Sequence, residues 1–411
     1  MFDKNYLLPA DALGRIMDVL ADGLPPSEML PIEECYGRVL AADIVSPEYL
    51  PAFPRSTVDG FAVLAEDTFG SKETSPAYLN LKYEVLMGIE PDFELHKGFA
   101  AKIPTGGMLP AGADAVVMLE YVQSASENMI EILKSAAPGD NVIQQGEDIK
   151  RGETVLIAGK MLRAQDIGAL AGIGITRIEV FKKPILSFIS TGDEIVTAES
   201  PLCIGQVRDI NSFTLAGLVV DHGGMLVKKG ILKDDYGVIK KAVEESLHDA
   251  DLVLICGGTS AGTKDMTAAI INDIGKPGVL FHGVALKPGK PMIGGVVNGK
   301  PVLGLPGHPA AAVVCFDLFI KPILDKLRGL RNKTDYIRSI KATMGKNIAS
   351  AAGREDHIRV YVEEKEGTQF AFPVLGKSGL ITTLVKADGV VVIPQAKLGL
   401  DAGEEVTVRL F

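Results

Sequence analysis

The chain has 411 residues and a formal net charge of -10. With 47% hydrophobic and 23% charged residues, it reads as a globular protein of roughly two to four domains with apolar residues enough for real cores. The acidic balance excludes a general binder of phosphate backbones, so no nucleic-acid partner is expected, although local loops could still hold a small anion.

The opening "MFDKNYLLPAD" has no basic region followed by a long apolar core, so no secretory signal is expected. No apolar run approaches the roughly 18 residues that cross a bilayer, and no membrane partner is expected. Leu13, Ile16, Met17 and Leu20 recur at i, i+3, i+4, i+7, which predicts a first helix despite Gly14. The proline-rich "SPEYLPAFPRSTVDGFAV" then marks a domain edge or a rigid loop. From Phe61 to Ile143, short β-like runs alternate with turns; "ADAVVMLEYV" and "MIEIL" are the clearest strands. A helix from Arg163 to Ala171 and a strand into Val180 come next. The first helix and this later segment are read as one domain interrupted by an insertion.

From Pro184 the rhythm changes. "PILSFIST", "LVKKGIL", "DLVLIC" and "PVLGL" read as buried strands, with helical segments between them. This alternation predicts a parallel α/β sheet with helices on both faces. After Arg328 the chain turns β-rich again and ends as strand, turn, strand. The four cysteines, Cys35, Cys203, Cys256 and Cys315, have neither zinc nor redox spacing. Cys256 and Cys315 lie in apolar runs and are expected as core thiols, which fits a reducing cytoplasm.

Ligands of open α/β sheets bind beyond the carboxyl ends of the strands. Four loops fall there: "STGDEIV", "LKDD", "GGTSAGTKD" and "GLPGHPAAA". Their glycines let backbone N–H groups approach an anion, whereas Glu194, Asp234 and Asp265 would repel it. A divalent cation resolves that conflict, since Mg2+ favours a few carboxylates plus phosphate oxygens and water. Alternatively each acid caps a helix. Lys287 and Lys290 flank a Pro-Gly turn, so both ammonium groups could aim at one oxyanion or simply decorate a hairpin tip. The six histidines form no pair at metal-ligand spacing. There is no nucleophile elbow, P-loop ending or dinucleotide fingerprint.

Taken together, "FPRSTVDGFAV", "PTGGMLPAGADAVVMLE", "GEDI", "STGDEIV", "GQVRDINSFTL", "GGTSAGTKD", "KPGKP" and "LPGHP" stand in the order of one family. The chain resembles the molybdopterin molybdenumtransferases, the family of bacterial MoeA and the gephyrin E domain, over essentially its whole length. The resemblance implies a multidomain α/β fold of four parts. These are an elongated linker domain of residues 1–45 plus 147–181, an inserted β-rich domain of 46–146, an open α/β molybdopterin-binding domain of 182–327, and a C-terminal β-barrel-like domain of 328–411. It implies a cytoplasmic homodimer that inserts molybdate into adenylylated molybdopterin with Mg2+ and releases AMP. Molybdopterin adenylyltransferase and apo-molybdoenzymes are the implied protein partners.

By motif, the resemblance carries functional roles to Asp59, Thr105, Asp148, Glu194, Asp234, Asp265, Pro306 and Pro309. Asp234 and its neighbour Asp235 are alternatives. Gly257, Gly258, Ser260 and Gly262 would bind the pterin phosphate or its AMP. Lys287 and Lys290 would bind molybdate, with Arg354 and Ser378 reaching the same site. Glu194, Asp234 and Asp265 would hold the metal, and Asp59 and Thr105 would serve the other subunit's site. The chain departs from the family pattern at Thr259, usually a β-branched apolar residue, and at Ala311, often serine. Loss of that hydroxyl leaves tungstate open as the oxyanion and a divergent paralogue open as the identity. Two other readings are a scaffold of the same fold and a pterin- or nucleotide-binding hydrolase sharing only the α/β domain.

Overall fold

Helix α1 (Pro9–Val19) starts on a proline, which costs no hydrogen bond in a first turn. Its Ala12 and Ile16, with Leu20 just beyond its end, are buried with Leu303, Phe281 and Phe319. The predicted face is therefore correct, and it packs into the α/β core, although the sequence had grouped this helix with the linker. The computed structural model describes residues 6–20, 23–257, 261–331 and 338–411, the side chains of 261–265 excepted. It divides into one unit of Met1–Glu28, Gly37–Ala41 and Val180–Phe411, and a second of Met29–Tyr36 and Ala42–Glu179.

The second unit is built on a six-stranded sheet. Its strands are β1 (Gly60–Val63), β2 (Lys72–Glu84), β3 (Phe99–Ile103), β4 (Ala115–Met118), β5 (Val122–Ser126) and β6 (Met129–Lys134). The spatial order is β4-β1-β3-β2-β6-β5. Side chains alternate between two cores, Phe61 and Val63 facing one and Ala62 the other. Helix α2 (Ala164–Gly172) begins one residue after its predicted start. Asp166 in its first turn accepts from the Arg163 N–H at 2.9 Å, Arg163 Nε at 3.0 Å and Lys160 Nζ at 2.7 Å. Burial pushes this carboxyl up, but those donors, the Arg163 and Lys160 side chains before the Arg163 backbone, outweigh it and bring it down to about 2.

The first unit carries the α/β sheet. Its strands are β7 (Ile185–Thr191), β8 (Met225–Leu232), β9 (Leu252–Gly257) and, past a short strand β11 (Leu286–Lys287) that follows β10 (Pro277–His282), β12 (Ile293–Val297) and β13 (Lys300–Pro306). The sheet order is β8-β7-β9-β13-β12-β10. Leu252, Leu254 and Cys256 join the core that contains α1, while Val253 and Ile255 join the opposite core. Helix α3 (Asn211–Asp221) covers the first face with Leu215 and Val219. Helices α4 (Tyr236–Asp249) and α5 (Ala261–Ile274) cover the second with Ile239, Val243, Ile270 and Ile271.

The all-parallel expectation needs correction at one edge. β7, β8, β9 and β13 are parallel, but β12 runs antiparallel to β13, and β10 antiparallel to β12. The cause is the tight turn between β12 and β13. Asn298 and Gly299 take φ of 51° and 84°, the paired positive values of a two-residue hairpin. A parallel pair would need a crossover of about a dozen residues.

After β13 the chain forms α6 (Pro309–Cys315), a π turn over Phe316–Ile320 and α7 (Lys321–Leu327). The tail is a closed five-stranded barrel of β14 (Ser339–Met344), β15 (Glu355–Lys365), β16 (Thr368–Pro373), β17 (Gly389–Ile393) and β18 (Glu405–Leu410). The pairing runs β15-β16-β14-β18-β17 and returns to β15, which leaves no open edge within the ring. β11 lies parallel beside β15, Lys287 opposite Asp356.

Candidate functional site

In the α/β sheet, the carboxyl ends of β7, β9 and β13 pack too closely for side chains. A Cβ on Gly257 would lie 2.1 Å from Thr191 Oγ1, and one on Gly307 would lie 3.0 Å from the Gly257 carbonyl oxygen. Gly257 and Gly307 therefore answer a steric need before any ligand is considered. Thr191 Oγ1 is buried and has no hydrogen-bond partner among the described residues. Asn211, at the start of α3, donates from Nδ2 to the Gly307 carbonyl at 2.9 Å and to Cys256 Sγ at 3.1 Å, while its Oδ1 is also unpartnered. Buried polar atoms are seldom left unmatched, so this crevice offers hydroxyl and amide groups to a ligand.

The acidic candidates border the same strand ends. Thr191 pairs with Leu232, so the loops carrying Glu194 and Asp234 leave adjacent strands. Glu194 is exposed, and its carboxylate folds over Gly192, whose φ is 146°. Asp235 is the N-cap of α4 and accepts from the Val238 N–H at 2.9 Å. The capping reading thus holds for Asp235, and Asp234 is the acid of the pair that is not the cap. Asp265 and Gly262 lie in α5, but nothing beyond their backbone is described, and Gly258, Thr259 and Ser260 lie outside the described residues. Among the described residues, no three His, Cys, Asp or Glu side chains converge at metal-binding distance. Carboxylates as all-oxygen donors, few in number, suit Mg2+ shared with substrate phosphates better than a caged metal.

A separate group of predicted residues comes together between the α/β sheet and the barrel. Lys287, Lys290, Pro306, Arg354 and Ser378 line one cavity of about 910 Å³. Asp356, absent from the sequence reading, organises it. Fully buried, it accepts from Arg354 Nε at 2.6 Å and Nη2 at 3.2 Å, and from Lys287 Nζ at 3.4 Å. Such a fork fixes the guanidinium plane. His308 Nδ1 lies 2.8 Å from Ser378 Oγ, tying the "LPGHP" loop to the barrel. Pro309 is buried at the first turn of α6 and Ala311 lines the cavity with a methyl group. Both lysines line the cavity, with different contacts: Lys287 turns to Asp356, while the Lys290 ammonium sits over the Tyr6 ring, 4.7 Å from its centroid.

Asp59, Thr105 and Asp148 belong to the second unit, and all three are exposed. Asp59 Oδ1 accepts from the Thr105 N–H and hydroxyl. Those bonds, the backbone one first, hold its carboxyl below the ordinary range. Asp148 sits on a loop anchored by its own N–H to the Leu50 carbonyl at 3.1 Å. The cysteine expectation holds as well: Cys256 and Cys315 are fully buried core thiols, and burial pushes Cys256 up to about 12 and Cys315 higher.

Comparison with known proteins gives this architecture a class. Residues 9–174 match the profile described as the MoeA N-terminal region, domains I and II; residues 187–326 match a probable molybdopterin binding domain; and residues 341–411 match the MoeA C-terminal region, domain IV. The fold is thus that of the multidomain proteins of molybdenum cofactor biosynthesis. A putative molybdopterin biosynthesis protein of Methanocaldococcus jannaschii is 38% identical over 393 residues, 92% of this chain and 91% of that one. The molybdopterin molybdenumtransferase of Bacillus subtilis is 31% identical over 416 residues, 100% of this chain and 96% of that one. A crystal structure of the molybdopterin biosynthesis MoeA protein of Pyrococcus horikoshii superposes with a TM-score of 0.85 at 34% identity, covering 99% of this chain and 100% of that one. The chain belongs to the molybdopterin molybdenumtransferase family of transferases.

No helix among the described residues is long and apolar enough to cross a membrane.

Proposed function

We propose that this chain performs the metal-insertion step of molybdenum cofactor biosynthesis. Adenylylated molybdopterin and an oxyanion, molybdate or tungstate, are the substrates; water cleaves the phosphoanhydride to AMP and the pterin phosphate, and the two dithiolene sulfurs bind the metal as one of its oxygens leaves as water with the thiol protons. The observation that carries the reading is the cation pair Lys287 and Arg354, fixed by Asp356 on a cavity that Ser378 also lines. That arrangement suits a tetrahedral dianion, because a planar guanidinium and a point ammonium can each donate to a different oxygen.

In this reading the Thr191–Gly257–Asn211 crevice takes the phosphate end of the pterin, with Gly258, Ser260 and Gly262 adding backbone and hydroxyl donors. Glu194, Asp234 and Asp265 hold Mg2+, which neutralises charge as the phosphoanhydride breaks. The active form is a homodimer in the cytoplasm, in which Asp59, Thr105 and Asp148 of one subunit position the partner's substrate. It receives its substrate from molybdopterin adenylyltransferase and passes product to apo-molybdoenzymes.

Reconstitution tests this directly. Purified protein with adenylylated molybdopterin and Mg2+ should release AMP only when molybdate or tungstate is added, and the effective anion names the metal. AMP release indifferent to both anions, or none at all, would refute the reading.

A further inference from the structure

Arg359 stands apart from the other cations of the cavity. It lies on β15, its side chain lines the cavity, and it is only 8% exposed. Its Nη2 donates to the Gly376 carbonyl at 3.3 Å, but its Nε has no hydrogen-bond partner among the described residues. Arg354 and Lys287, by contrast, share the carboxylate of Asp356. A buried guanidinium with an idle donor is costly unless an anion meets it. Burial alone already holds the Arg359 group below its ordinary value.

Charge counting leads the same way. Lys287, Lys290, Arg354, Arg359 and Lys377 all line the cavity, against the single carboxylate of Asp356 that pairs with Lys287 and Arg354. The wall therefore carries a surplus of positive charge, which suits an oxyanion. The Gly376 carbonyl that Arg359 holds belongs to the loop that also presents Ser378 to the cavity.

We infer that Arg359 is a further oxyanion-binding residue, whose buried Nε donates to the anion that Lys287, Arg354 and Ser378 also contact. The inference rests on the oxyanion reading of this cavity. The same chemistry would recognise a free molybdate or tungstate or the phosphate group of the pterin substrate.

Calorimetric titration of the full-length protein with sodium molybdate, sodium tungstate and inorganic phosphate, each at one fixed ionic strength, tests it. Wild type should bind at least one of the three. Arg359→Gln should weaken that binding about tenfold or more, and Arg359→Lys should recover part of it. Preference for molybdate or tungstate identifies a free metal oxyanion as the source; preference for phosphate identifies the substrate's phosphate. Wild type binding none of them overturns the oxyanion reading itself. Wild-type binding that Arg359→Gln leaves within about twofold overturns only the role of Arg359, and would make it a support of the 374–378 loop. Should Arg359→Gln fail to fold, tungstate-soaked crystals of wild type decide. An anomalous tungsten peak about 4–5 Å from the Arg359 guanidinium supports the inference, and a peak out of its reach refutes it.

Discussion

Asp59 Oδ1 accepts two hydrogen bonds from one residue, from the Thr105 N–H at 2.7 Å and from its hydroxyl at 2.9 Å. The two positions are 46 residues apart, on separate loops of the β-rich unit. Thr105→Val removes the hydroxyl and keeps the N–H. Because the backbone bond is the larger cause of the depressed Asp59 titration, valine should move it only part of the way back. Carboxyl-detected NMR titration reads this, and a full return would show that the N–H bond is not made in solution. In the AMP-release assay Asp59→Ala should cost more activity than Thr105→Val.

The neighbours Asp234 and Asp235 should separate cleanly. Asp235→Ala removes the cap of α4 and should cost about 1 kcal/mol in urea denaturation, with AMP release retained. Asp234→Ala should lower Mg2+-dependent AMP release by about tenfold or more, a loss that Asp235→Ala does not share. The opposite pattern would reassign the functional acid.

At the strand ends, Gly257→Ala should destabilise the fold by about 1–3 kcal/mol, since the new methyl meets Thr191 Oγ1. Adding Thr191→Ala opens that space and should restore part of the loss. Strict additivity in the double-mutant cycle would mean that the two residues are not in contact.

Asp166 predicts a pH signature. Its folded value is depressed from 3.8 to about 2, so its contribution is complete above the unfolded value and fades as pH falls through the folded one. Asp166→Asn should therefore be less stable by about 2 kcal/mol at neutral pH. The gap should narrow below about pH 4 and close near pH 2. Denaturant melts across that range measure it, and a gap independent of pH would contradict the ion-pair account.

Thiol labelling offers a further check. Of the four cysteines only Cys203 is exposed, so one equivalent should react with Ellman's reagent in the native protein and four in denaturant. Native reaction at Cys256 would mean that its strand opens far more readily than a central strand should.

Much of this was readable from residue order. Short apolar runs announced β7, β9 and β13 as buried strands, with helical segments between them. The antiparallel edge was missed although "VVNGK" carries the Asn-Gly hairpin signal, because glycine-rich "MIGGVV" has too little polar alternation to read as a strand. The placement of Lys287, Arg354 and Ser378 on one cavity agrees with the motif reading. Asp356 and Arg359 were not legible. An arginine five residues after Arg354 would point to the opposite face of a regular strand, but Arg354 precedes β15, so strand parity does not apply. Lys290 also lines that cavity, but its contact with Tyr6, almost three hundred residues away, was not legible because spacing on a local turn says nothing about it.

The pairing of β11 with β15 divides recognition between two stretches of chain. The α/β sheet contributes the crevice, and β11, laid beside the barrel, contributes Lys287; the barrel and its loops contribute Arg354, Asp356, Arg359 and Ser378. Under the proposed function, a protein truncated before β14 would lose Arg354, Arg359 and Ser378, and with them most of its grip on the oxyanion. Metal preference would then be a portable property of the last seventy or so residues, open to drift or to transplantation between relatives without rewriting the sheet.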